Sequence, residues 1–415
     1  METGPREGSS LRNLLSETDE RSSVGEYDAA LLRAEQRLKG WEAIFQRERS
    51  EAVGLVAELL GHPPERQELI LRNNVRYFTW GALERLLAQS WGQRFANPDR
   101  AEHLARLALL VAERLDATFY GAAAIEDLRA RAWGYIGNVH RLRADLAEGT
   151  RAFATAFRHL RRGTREPIEY ALLLDLEASL RRSQRRFADA LRLLRRAFGL
   201  FEAAGDRHRA GRALLGMEIV LTYAGYPEKG IPLLYKAIEL IDSSQEPDLL
   251  LCAWHNLIDG LVDAGRHLEA RRLLSRVRPL YDRFPESVGH RSEWLAGKIA
   301  LGLRQDEEAE TLLGKARAGF LAENAPYEAV IVSLELSTLY ALQGRTQEMK
   351  QLAAEMVPFF SSRQIHREAA AALAFWKQAV DTETAGLDLA TRLVSFLKRA
   401  RYHLDLPFER PAVSP

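Results

Sequence analysis

LLCAWHNLIDGLVDAGRHLEARRLLSRVRPLYDRF, running from Leu250 to Phe284, reads as one helix, a tight turn and a second helix. Trp254, Leu257, Leu261 and Val262 fall at the three-and-four spacing that places an apolar stripe on one side of a helix. Ala264 and Gly265 end that helix, the glycine standing where a C-cap calls for a left-handed residue. Leu268 to Tyr281 then form the second helix. The same turn chemistry returns at Ala224-Gly225-Tyr226-Pro227 and at Gln343-Gly344-Arg345. Pro167, Pro247 and Pro326 fall at helix starts, where a missing N–H costs nothing.

Working outward from this pair, large apolar residues recur at Trp133, Leu174, Leu214, Trp254, Trp294 and Leu334, in steps of 41, 40, 40, 40 and 40. A second register, one helix later, marks a small or flexible residue at Gly149, Ala190, Gly230, Ala270, Ala309 and Met349. Two independent registers agree on a period of about 40, the signature of stacked helical pairs. Pro279 and Pro358 each follow their register marks, Ala270 and Met349, by nine residues, and are expected to kink or end their helices.

Composition agrees. The 415 residues include 65 Leu and 59 Ala against 16 Val and 13 Ile, a balance that favours helices over pleated strands. Length alone suggests two or three domains, but the period turns this into one array of about eight helical pairs with capping ends. The one cysteine, Cys252, excludes an intrachain disulfide and is expected to be a small buried hydrophobe. No secretory signal and no membrane-spanning apolar run are found, so the expectation is a cytoplasmic protein with no membrane association.

These residues resemble the tetratricopeptide repeat family. Its succession of bulky and small positions is matched by Trp133, Gly137, Phe153 and Ala156; by Leu174, Ala178, Ala190, Leu194 and Ala197; by Trp254, Leu261, Ala270 and Leu274; and by Gly297, Ala309, Leu313 and Ala316. The period is longer than the family's usual ~34 residues, and Glu218, Ile258 and Ser337 fill positions that are small in the family. Long repeats of this kind are similar to the sensor arrays of bacterial helix-turn-helix regulators. The resemblance implies an all-α, right-handed superhelical solenoid of antiparallel helix pairs, with armadillo or HEAT-type pairs as the alternative. The expected division is a disordered tail over 1–25, atypical N-terminal repeats or a cap over 26–126, the repeat array over 127–381, and a C-terminal capping helix and tail over 382–415. Within the second part, helical patterns run from Tyr27 to Leu60, Pro64 to Gln89 and Arg100 to Leu115.

Catalytic chemistry finds no motif. There is no phosphate-binding glycine loop, no Gly-x-Ser-x-Gly elbow and no His-Glu-x-x-His, and the ten histidines are scattered. The protein is therefore expected not to be an enzyme and to need no metal and no cofactor. Cys252 and His255 stand three apart on one helix, but are read as a packing residue and a groove residue. Between Arg131 and Arg196 there are 15 Arg and 7 acidic residues, a local excess of basic charge in a chain whose net charge is +1. Such a face could meet phosphates or an acidic protein surface.

In the resembled family, first helices line an extended groove. The matching face here carries Arg131, Gly134, Asn138 and Arg141; then Asp175, Ser179 and Arg182; then Arg212, Ile219 and Thr222; then His255 and Asp259; and finally the apolar Ile331, Leu334, Thr338 and Ala341. Gly137-Asn138 resembles the Gly-Asn of peptide-clamping repeats. The expected partner-binding groove thus comprises Arg131, Asn138, Arg141, Asp175, Ser179, Arg182, Arg212, His255 and Asp259, polar at one end and apolar at the other. It would bind a protein or peptide, as a bacterial regulatory adaptor or sensor. The alternative is a transcription-linked or nucleic-acid-binding regulator acting through the Arg131–Arg196 segment. Homo-oligomerisation stays open.

Overall fold

A computed structural model of the chain describes residues 39–284, 286–360, 367–400 and 406–408. The tail expected over 1–25 lies outside the described residues. All regular structure among the described residues is helical, and the chain forms two compact units, Met1–Arg143 with Ala154–Thr164, and Ala144–Phe153 with Arg165–Pro415.

The first unit contains α1 (39–60), α2 (Pro64–Asn73), α3 (Trp80–Gln93), α4 (Pro98–Arg114), the single turn α5 (Ala117–Tyr120), α6 (Ala122–Leu142) and the C-terminal part of α7 (Leu146–Leu160). The continuous helical pattern expected from Pro64 to Gln89 is broken. Asn74 leaves the helix with φ −134° and caps a short 3₁₀ turn, and Thr79 Oγ1 accepts from Ala82 N at 3.1 Å to start α3. α4 begins as the sequence signals, with Asn97 Oδ1 accepting from Arg100 N at 3.0 Å and Pro98 at its first position. Leu59, Leu83, Leu86, Leu104, Leu107 and Val111 form the core of this unit.

The second unit continues with α8 (Pro167–Ser183), α9 (Phe187–Ala203), α10 (Arg207–Tyr223), α11 (Ile231–Leu240), α12 (Pro247–Asp263), α13 (His267–Tyr281), α14 (Glu286–Gly302), α15 (Asp306–Ala322), α16 (Pro326–Leu342), α17 (Thr346–Phe360), α18 (Arg367–Asp381) and α19 (Leu387–Ala400). Neighbours in sequence pack against one another as antiparallel pairs. Small residues of the repeat pattern allow close approach: Ala190, Ala270, Ala309 and Ala316 are fully buried, each in a core cluster shared with neighbouring helices. Pro279 lies in the last turn of α13, which ends two residues later at Tyr281.

The turns share one backbone device. A residue with positive φ stands at Arg165, Arg185, Gly205, Gly225, Gly265, Arg304, Asn324, Gly344 and Glu383, at intervals of about 20 residues or multiples of it. Each reverses the chain after one helix, so two of them make the period of 40. Glycine supplies this conformation at Gly225, Gly265 and Gly344, as the sequence indicated, and also at Gly205; at the other positions arginine, asparagine or glutamate is held in it.

α16 departs from the amphipathic pattern. From Pro326 to Leu339 nearly every residue is buried, on all sides of the helix. The cause is α19, whose Leu393, Phe396 and Leu397 share a core with Val330 and Leu334, while Tyr327 Oη donates to Leu397 O at 2.9 Å. At the apolar end expected of a ligand groove, Leu334 is fully buried in the core shared with α19, whereas Ile331, 1% exposed, lines the cavity of this unit.

Candidate functional site

Within the second unit, α10, α11, α12, α14, α16 and α19 leave a cavity of about 970 Å³. Its longest wall is one face of α12, where Asp248, Leu251, Cys252, His255, Asn256, Asp259 and Asp263 recur at intervals of three and four. That face runs about 22 Å at 1.5 Å per residue. Ile219 and Tyr223 of α10, Leu234 of α11, and Val288 and Trp294 of α14 give the cavity apolar and aromatic sides.

Buried polar groups sit on this framework in three sets. Glu218, 4% exposed, accepts from Thr222 Oγ1 and from Asn256 Nδ2, both at 2.8 Å. Burial pushes its carboxyl above the usual range, because the two neutral donors and a more distant Arg182 do not fully offset lost hydration. Next, His255 Nδ1 and the Tyr281 hydroxyl are paired at 3.1 Å, and burial pushes the imidazole down to about 4, so the ring is neutral at pH 7. The third set is ionic. Lys298 Nζ donates to Asp259 Oδ1 and, at 3.2 Å, to Asp263 Oδ1, which also receives Lys398 Nζ of α19 at 3.2 Å. Burial opposes ionisation of both members of the Lys298–Asp259 pair, yet their mutual attraction prevails, holding the Asp259 carboxyl well below its usual value and Lys298 well above. Nearby, burial raises the Glu335 carboxyl, which accepts from Trp294 Nε1.

Cys252 is exposed on the cavity wall and not the small core residue expected of it. Crowding by the surrounding protein, and then Glu218, push its thiol up to about 11, which keeps it a thiol at neutral pH and a poor nucleophile. The residues named from sequence are distributed as follows. His255 and Asp259 line the cavity. Arg182 lies with its guanidinium 5.4 Å from the ring of Tyr223, a lining residue. Asp175 and Arg212 belong to an ionic chain, Asp175 Oδ2 to Arg212 Nε at 3.4 Å and Arg212 Nη1 to Glu246 Oε2 at 2.9 Å, with Ser179 half-buried one turn along α8. Arg131, Asn138 and Arg141 belong to the first unit. There Asn138 is 4% exposed, and its Oδ1 accepts from Arg141 Nε at 3.0 Å.

Sequence reasoning did not name Glu218, Asn256, Tyr281, Arg291 or Lys398 as site residues. Glu218 carried a signal, a charged residue at a position small in the resembled family. Lys398 carried none, since it reaches Asp263 from 135 residues away. In the basic segment, Arg181 is paired with Glu177, Arg186 and Arg192 with Asp189, and Arg143 with Asp99 and Glu102. Among the described residues, no group of three or more His, Cys, Asp or Glu is placed to hold a metal ion, and no helix is long and apolar enough to cross a membrane.

No protein-family model matches the chain. Solved structures do resemble it. A Rap protein in complex with Competence and Sporulation Factor aligns at 15% identity and TM-score 0.51, over 78% of this chain and 88% of that one. Aspartyl phosphate phosphatase F from Bacillus subtilis aligns at 14% identity and TM-score 0.44, over 81% of this chain and 98% of that one. The pilF protein of Pseudomonas aeruginosa aligns at 14% identity and TM-score 0.40, over 57% of this chain and 91% of that one. The fold is a helical repeat of the tetratricopeptide-like kind. Fold and function are separate matters at such identities, and the function has to come from the site.

Proposed function

We propose that the protein is a binding protein, a regulatory adaptor or sensor, that takes a peptide or an extended protein segment into the cavity of its second unit. The observation that carries this reading is the cavity itself: about 970 Å³, elongated along α12, with apolar sides and buried polar groups held in fixed positions. Concave sites with mostly apolar walls and a few convergent polar groups are the usual form of a ligand site. At about 3.3 Å per residue, a 22 Å wall accommodates six or seven extended residues. The solved Rap protein, which shares the fold, holds Competence and Sporulation Factor, and this accords with a ligand-binding role. The side chains along the wall serve binding better than catalysis: His255 stays neutral, Cys252 stays a thiol, and Asp259 is occupied by Lys298.

The test is selection of a random hexapeptide library on the purified protein, with Ile219→Trp as the comparison, since a bulky ring there fills the cavity. Peptides that bind the native chain and lose at least tenfold in affinity to I219W support the reading. Selection of no peptide, or of peptides indifferent to I219W, refutes it.

A further inference from the structure

Charge on the cavity wall is distributed unevenly between the two signs. Every cation there is matched: Lys398 with Asp263 at 3.2 Å, Arg291 with Glu328 at 3.7 Å, and Lys298 behind the wall with Asp259 and Asp263. The carboxylates are not all matched. Asp259 and Asp263 are taken by those lysines, but among the described residues no Lys, Arg or His forms an ion pair with Glu218 or Asp248. Asp248 is exposed, in the first turn of α12. Glu218 is deep, two turns further along the same wall beside Asn256, and its two bonds come from a hydroxyl and an amide.

An isolated buried carboxylate is costly, and a hydroxyl and an amide compensate it less than a cation does. Its position is nonetheless well defined. Thr222 fixes Oε1, Asn256 fixes Oε2, and Gly230 stands against the side chain so closely that a Cβ there would lie 2.7 Å from Glu218 Cγ. A carboxylate oriented by neutral donors keeps lone pairs to offer, and each oxygen of Glu218 accepts one bond where two are available. The apolar sides formed by Ile219, Tyr223, Leu234 and Leu251 suit an alkyl stem leading to a charged head.

We propose that the cavity binds a peptide carrying a lysine or arginine side chain, which passes the apolar wall and places its ammonium or guanidinium on Glu218. Asp248 at the mouth draws the cation in. The inference rests on the peptide-binding reading above, adding the identity of the recognised group. An anionic ligand would meet two unmatched carboxylates and only cations that already have partners.

The experiment uses the full chain and a defined probe set. The probes are N-acetylated, C-amidated hexapeptides of Ala, Leu and Val, each with one Arg, citrulline, Lys, norleucine or Glu placed at each of the six positions in turn. Binding is measured by titration calorimetry to the native protein, Glu218→Gln and Ile219→Trp. The expected result is that at one or two positions Arg binds at least tenfold tighter than citrulline and Lys tenfold tighter than norleucine, and that E218Q removes both preferences. Gln retains the shape and the acceptor for Thr222, and comparison of Arg with citrulline on the native chain stands even if E218Q folds poorly. Equal binding of charged and neutral members, a Glu preference, or a cation preference that survives in E218Q overturns the inference while binding that I219W abolishes leaves the peptide reading intact. Absence of any I219W-sensitive binding overturns both.

Discussion

Replacing Lys298 by methionine keeps most of the stem volume and removes the charge that serves two carboxylates. Lys298 is 7% exposed, and its Nζ meets Asp259 as well as Asp263 at 3.2 Å. Removing one partner of a buried pair costs about 3–5 kcal/mol, because the other charge is left unpaired. Here the carboxylates are 35% and 39% exposed on the cavity wall, and Lys398 remains on Asp263, so part of that cost is relieved by water and by the second lysine. The expected loss is about 2–3 kcal/mol, and the double variant K298M/D259N should recover about half of it. A repeat array need not unfold in one step. The suitable assay is therefore hydrogen exchange read by mass spectrometry on α12 and α14, alongside urea unfolding. Protection in those helices should fall by roughly 30- to 150-fold, at 1.4 kcal/mol per factor of ten. The pair also sets an acid limb. Because the Asp259 carboxyl lies below its unfolded value, its contribution is complete above about pH 4 and is lost as pH falls through the folded value. In K298M, where the attraction that lowers the Asp259 carboxyl is gone and burial raises it, that limb should shrink or reverse. A K298M protein within 0.5 kcal/mol of native, with unchanged exchange in α12 and an unchanged acid limb, would refute the reasoning.

Two further outcomes follow from the same structure. His255 is pushed down to about 4 from an unfolded value near 6.5, so between these pH values the unfolded chain binds a proton that the folded chain does not. Native stability should fall by about 1–2 kcal/mol as pH drops from 6.5 to 4, less than a fully dry site would give because the half-buried ring faces an open cavity; a His255→Gln variant with the same slope over that window would show that another group is responsible. Arg304 holds φ 60° in the turn between α14 and α15, where glycine stands in the corresponding turns at Gly265 and Gly344. Arg304→Gly should raise stability by about 0.5–1 kcal/mol in urea unfolding, and a loss of stability would mean that the arginine side chain contributes more than the strain costs.

Much of the architecture is legible in the residues. The three-and-four spacing of Trp254, Leu257 and Leu261, the glycines at 225, 265 and 344, and the prolines at 167, 247 and 326 are local signals, and each appears in the structure as a helix face, a left-handed turn residue or a helix start. They can be read because their causes act within one or two turns of chain. The break at Asn74 was harder to see, since it comes from two side-chain caps at Asn74 and Thr79 within an otherwise helical composition.

The candidate site was legible only in part. His255 and Asp259 could be placed on one face from their spacing, but what each does depends on distant residues: Tyr281 bonds His255, and Lys298 occupies Asp259. Sequence by itself determined that this chain is a series of paired helices with a 40-residue period, because helix periodicity and turn chemistry are written over short distances. Only the tertiary structure decided which polar residues meet in the cavity, that α19 covers the apolar face of α16, and that among the described residues no cation forms an ion pair with Glu218. Those outcomes depend on which side chains share a buried volume, and a volume assembled from α10, α12, α14 and α19 has no counterpart in the order of residues along the chain.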